Sequence, residues 1–241
     1  MHAIWVISKR ELNSFFDSLV SYIFIVVFLG IGGFFTWLFG SDIFLIGQAT
    51  LQPFFSIAYF TLFFFIPALT MRMLAEEKRI GTIELLLTKA VSDWQVILGK
   101  FFACLILISV ALALTLPYYI TVSVLGPIDH GAVWCGYFGM ILMSMAYIAI
   151  GLFASSITNN QIVSFLLALF IGVFFLIIFD VLASSFTGTV GQVLNFLSMS
   201  THFDSISRGV IDSRDIIYFF SITFLGLMLA ETSLSKRNIV E

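Results

Sequence analysis

The chain has 241 residues, 60% of them apolar and only 10% charged, with a net charge of -3 and a mean hydropathy of +1.10. Soluble domains carry about a quarter charged residues, so this composition excludes an ordinary water-soluble fold and marks an all-α integral membrane protein. The length allows six spans with short connections, leaves no room for a soluble catalytic domain as well, and gives the 29 Phe residues an obvious place in the spans.

In chain order, polar residues run from Ser8 to Ser18 before the first apolar stretch, without the short apolar core and small-residue cleavage site of a signal peptide. On a helical wheel Ile4, Trp5, Leu12, Phe15 and Phe16 share an arc, away from His2, Lys9, Arg10, Asn13 and Asp17, while Val6 and Ile7 break the pattern. Residues 1–18 are therefore expected to form an amphipathic helix lying in the membrane interface. The first span is expected over about Leu19 to Phe39 and the second over about Phe54 to Met71. Gly30, Gly32 and Gly33 favour close helix packing, and Pro67 kinks the second span as a hinge candidate or a static bend.

Arg72 to Lys100 is the one long polar passage between two apolar segments, and it carries Arg72, Lys78, Arg79, Lys89 and Lys100. Placing such groups at mid-bilayer costs about 2.5 to 3.5 kcal/mol each, which makes residues 72–100 a water-facing loop. Gly81 breaks the charged run, Thr82 can cap a new turn, and Glu84 suits the positive end of a helix dipole. A short helix over Ile83 to Lys89 follows, with Ile83, Leu86 and Leu87 on one face, an apolar strip that calls for a partner protein. Ser92 and Gln95 form a capping box that opens the next helix.

Glu77, Lys78, Gly81-Thr82-Ile83-Glu84, Leu85 to Leu87, Ser92 and Gly99-Lys100 resemble the cytoplasmic loop of ABC-2 type transporter permeases, most closely the gliding-motility-associated permease subunit. The resemblance implies that the short helix is a coupling helix docking on an ABC ATP-binding subunit through Gly81, Thr82, Ile83, Glu84, Leu85, Leu86, Leu87, Thr88 and Lys89. It also implies a sliding interface helix at the N-terminus, spans one, two and five at a dimer interface, and a bacterial inner-membrane location. The second permease of that dimer is either another copy or a different permease-like subunit.

The third span, about Phe101 to Leu125, continues the Ser92 helix as a rigid rod and contains Pro117, a second hinge candidate. Gly126 to Gly131 is a turn, and its adjacent Asp129 and His130 are two residues too few for a metal site. The fourth span is expected over Trp134 to Phe153, with Trp134 and Tyr137 suited to the outer interface. Thr158 and Gln161 form a capping box for the fifth, which ends near Asp180. Residues 183–214 hold two apolar clusters, neither long enough to span, and fit two short re-entrant or surface helices on the outer face. By the resemblance these gate or line an external exit, with His202, Asp204 and Arg208 in a polar rim; the alternative is a solvated loop with local ion pairs. The sixth span is expected over about Ile216 to Ala230.

Nine of the eleven Lys and Arg fall on one side when both termini and the 72–100 loop are placed inside, leaving only Arg208 and Arg214 outside. The positive-inside bias thus selects six spans, N-in and C-in. Between the span ends there is no ionisable residue near mid-membrane, which disfavours an ion-coupled carrier. No charged ring suggests a channel, and no G-x-x-x-x-G-K-[ST] motif binds nucleotide, so ATP and Mg belong to a partner subunit. Cys104 and Cys135 lack metal-ligand spacing. No catalytic constellation, bound cofactor or nucleic-acid partner is expected. The reading is an ATP-driven permease subunit, an exporter, with a structural membrane anchor and a secondary carrier as the competing alternatives.

Overall fold

The computed structural model describes residues 2–38, 47–82 and 91–235. Among these residues every element is helical: α1 (His2–Asp17), α2 (Leu19–Trp37), α3 (Gln52–Ile80), α4 (Asp93–Ala113), α5 (Leu116–Leu125), α6 (His130–Ile157), α7 (Gln161–Val173), α8 (Phe179–Ser185), α9 (Thr189–Leu197), α10 (Met199–Ser207) and α11 (Ser213–Ser235). A π-helical turn, Phe174–Ile178, joins α7 to α8. Six of the resulting rods are long and apolar enough to cross a membrane: α2, α3, α4 with α5, α6, α7 through α8, and α11.

α6 is the hub. Its apolar window is 78% buried, against 22% for the α7–α8 rod, so the fourth span is wrapped by its neighbours while the fifth lies at the periphery. α3, α4, α10 and α11 all pack on it. Small residues permit this: Gly151 meets Thr70 of α3 where any Cβ would collide, and Ala146, Ala149 and Ala154 are fully buried. Aromatic rings fill the space between rods, as where Phe54 and Phe55 pack on Tyr137 and Tyr59 stacks on Phe203.

Several boundaries differ from the sequence reading. α3 does not stop at Met71 but runs nine residues further as helix, so much of the polar passage is the end of a rod and not a loop. Lys78 and Arg79 in its last turn suit the negative end of the helix dipole. Pro67 is buried inside this helix, and Thr70 Oγ1 donates to the Ile66 carbonyl beside it. The third span is not one rigid rod: α4 ends at Ala113 and α5 restarts at Leu116, with Pro117 in its first turn, where a missing N–H costs nothing. The fifth span is capped by Asn160, which accepts from Ile162 N, and Thr158 instead accepts from Asn160 N, so the Thr158–Gln161 box is not formed. Tyr137 is buried and bonded to Thr115, whereas Trp134 is exposed.

Candidate functional site

The charged residues gather at the two ends of the bundle. At the basal end, where α1, the last turns of α3 and the first turns of α4 meet, four charged side chains from three helices form one network. Lys100 is fully enclosed, and its Nζ lies 2.8 Å from Glu77 Oε1 and 3.3 Å from Glu11 Oε1. Arg10 Nη2 reaches the same two oxygens, at 2.6 Å for Glu11 and 3.3 Å for Glu77. Two positive and two negative groups balance, which is what permits a lysine to sit out of water. Burial alone would push the Glu11 carboxyl up, but Lys100 and Arg10 outweigh it and hold that group below the ordinary carboxylate range. Its hydrogen bond from Arg10 in turn raises the guanidinium above its usual value.

α1 is fitted to α4 by shape as well as charge. Ile4, Ile7, Ser8, Glu11, Leu12 and Phe15 recur at helical spacing and face inward, while Trp5 and Val6 are exposed. Ile7, which breaks the apolar arc of the wheel, is therefore a contact residue, and Trp5 is not. Gly99 is what allows the approach, since a Cβ there would lie 2.6 Å from Ile7 Cγ2. Ser8 Oγ, buried, donates to the Gly99 carbonyl at 2.8 Å. Arg72 closes the far end of α1, with its guanidinium 5.4 Å from the Phe15 ring centre and bonded to Ser18 Oγ.

α3 is tied to the hub by a second set of bonds. Ser155 of α6 accepts from Leu74 N and Ala75 N and donates to the Met71 carbonyl. Lys78 donates to the Ser156 carbonyl, which also receives Ser233 Oγ from α11. Gly81 then ends α3 in the left-handed conformation, φ +77°, with its N–H on the Glu77 and Lys78 carbonyls. Thr82 Oγ1 turns back to the Glu77 carbonyl at 3.4 Å. On the other leg the Ser92–Gln95 capping box is formed. The intervening docking residues Ile83, Glu84, Leu85, Leu86, Leu87, Thr88 and Lys89 lie outside the described residues.

At the distal end, α9 and α10 fold over the bundle. His202 and Asp204 lie on α10, with Arg208 at its C-terminal cap, but His202 does not belong to an exposed rim. It is buried, with Nδ1 2.6 Å from Asp215 Oδ1, Nε2 2.9 Å from the Phe196 carbonyl and its ring stacked on Tyr218. Asp204 is half-buried, and burial raises its carboxyl above the ordinary range, Arg208 opposing and Asp180 adding to the shift. Ser200 bonds Tyr59 of α3 and the Leu176 carbonyl in the π-helical turn, joining α10 to the second and fifth spans. Asp129 caps α6 and His130 bonds Tyr119, so both serve the turn, and among the described residues no group of three or more metal-ligating side chains occurs.

The family model for an ABC-2 family transporter protein matches residues 38–232, which covers every span but the first. The chain belongs to the ABC-2 transporter family. No curated protein matches the sequence. Membership makes this chain the membrane-spanning, multi-pass component of an ABC transporter, a class of subunit that is typically non-catalytic and works with an ATP-binding subunit. Within the ABC-2 chain the sequence reading singles out Glu77, Gly99 and Lys100 without giving them a role, and it passes over Glu11, Ser155 and Asp215. Glu11 carries a signal in hindsight, since it stands four residues after Ile7 and four before Phe15 on the inward face.

Proposed function

We propose that this permease is half of an ATP-driven exporter, lying N-in and C-in in a bacterial inner membrane, with residues 82–89 as the coupling helix that docks on an ATP-binding subunit. ATP and Mg would be held by that subunit. The observation that carries the reading is the convergence of α1, α3 and α4 on one buried charge network at the base of the segment that joins Gly81 to Ser92. A push on that segment has three helices to act on. Lys9, Arg10, Arg72, Lys78, Arg79 and Lys100 all belong to this basal end and Arg208 and Arg214 to the other, which supports a cytoplasmic basal end.

Motion would pass along α3, past Pro67, and along α4 to the break before Pro117, where the rod can hinge. The distal helices would close the exit, with Asp204 and Arg208 near its margin. A second permease, another copy or a different chain, would cover the apolar groove of about 420 Å³ between α2 and α3, lined by Val27, Ile31, Phe35, Ile57, Phe60 and Phe64 among others. The sequence resemblance extends the proposal to gliding motility. Co-purification with an ATP-binding subunit tests docking: Glu84→Arg and deletion of residues 82–89 should each abolish it. Unchanged binding in both would refute the docking assignment, and binding without ATP-driven transport would favour a structural anchor.

A further inference from the structure

The polar network at the base of the hairpin does more than attach α1. Glu77 stands one turn before Gly81 and Lys100 about two turns after the Ser92 cap, so their ion pair bridges the two legs close to where α3 ends and α4 starts. We propose that Glu77 and Lys100, flanked by Glu11 and Arg10, are a clamp that keeps the two legs at one spacing and binds α1 to them as a single lever. They are positioning residues for coupling. The inference rests on the reading of the hairpin as the element that receives force.

Three features support a clamp over a merely tolerated charge cluster. Lys100 Nζ lies between carboxylates of two different helices, so no single helix can shift without lengthening a bond from an enclosed ammonium. Arg10 duplicates both contacts from the α1 side, which makes the network a closed ring. The neighbouring contacts leave little slack: Ile7 fills the notch at Gly99, Ser8 bonds its carbonyl, and Ser155 grips three backbone groups of α3 only a few residues before Glu77. Apolar side chains could fill this volume with similar stability, whereas charge-assisted hydrogen bonds add a set direction and distance between the legs.

The test needs no ATPase. Spin labels replacing Ile80 and Val91 in the full chain, reconstituted in lipid nanodiscs, report the spacing of the legs by electron–electron distance measurement. A control pair replacing Ile157 and Leu229, both exposed, reports the bundle. The clamp predicts one narrow distance peak in the parent and in Lys100→Arg, and loss of that peak both in Lys100→Met and in the double variant Glu77→Leu with Lys100→Met, which leaves Arg10 paired with Glu11 and no carboxylate unpaired. A peak in Lys100→Met as narrow as the parent's overturns the proposal. If the control pair broadens too, Lys100→Met has lost its fold and the double variant, which buries no unpaired charge, decides: a broad leg peak beside a narrow control supports the clamp, and a narrow leg peak, or a control that broadens as well, refutes it. In the assembled transporter, a Lys100→Met complex should still hydrolyse ATP while losing transport. Equal retention of both also contradicts the clamp, and failed assembly of the parent bears only on the docking reading.

Discussion

The two ends of this molecule bury charge in different ways. At the basal end four charged groups from three helices share contacts, so Glu11 and Glu77 each face both Lys100 and Arg10. At the distal end, among the described residues, the Asp215 carboxylate bonds only His202, and both ring nitrogens of His202 meet acceptors. A ring of charges resists relative movement of several rods, whereas a single short bond, backed by the Tyr218 stack, fastens α10 to α11 at one point. The difference teaches where charge is shared: among three rods at the basal end, and between two side chains at the distal end.

Removing Lys100 should have the largest effect. Lys100→Met leaves two carboxylates against one arginine in an enclosed site, and breaking such a network costs about 3–5 kcal/mol. Thermal unfolding in detergent should show that loss, with faster proteolysis of α1 before any cleavage near α9. A loss within about 0.5 kcal/mol, the range of ordinary surface changes, would erase the contrast between the ends. Next is Gly99→Ala, which forces a methyl group against Ile7 and should cost about 1–3 kcal/mol. Ile7→Ala in the same chain should recover part of it, and a double-mutant cycle showing no coupling would mean that α1 is not seated by shape.

The fold was legible because hydropathy and helical period report burial directly: six apolar stretches give the six rods, and the Ser92–Gln95 box marks the start of α4. Helix ends were harder. α3 continues past Met71 because its charged last turns find partners on α1, α4 and α6, and nothing local in Arg72 to Ile80 announces partners so distant in sequence. Lys100 suggested water by its type alone, yet Glu11, 89 residues away, and Glu77 together make burial tolerable. Likewise His202 gave no sign of facing inward, since Asp215 and Tyr218 reach it only after the chain has turned through Gly209.

Smaller effects sharpen the comparison at the distal end. Tyr218→Phe removes the bond from its hydroxyl to the Leu197 carbonyl, 2.6 Å, and should cost about 1 kcal/mol in thermal stability. Cleavage should rise around α9 while hydrogen exchange in α1 stays unchanged, and release of α1 instead would show that the ends are not independent. Acid should act on the other end. Because the Glu11 carboxyl is depressed in the fold, its contribution is present above the ordinary glutamate value, about 4.3, and fades as pH falls through its lowered value. Protection of α1 amides, hydrogen exchange corrected for its intrinsic pH dependence, should stay flat from neutral pH down to that region and fall only below it, whereas loosening near pH 6 would contradict the assignment.

The side of the membrane on which the basal end lies is the most direct test of force entering there from an ATP-binding subunit. Ile80 is exposed at the tip of α3, and a cysteine in its place, in a chain with Cys104 and Cys135 replaced, can be challenged with a membrane-impermeant maleimide. Labelling in inverted vesicles but not in intact cells is the predicted result. Labelling in intact cells would put the hairpin out of reach of any cytoplasmic ATPase and contradict the account.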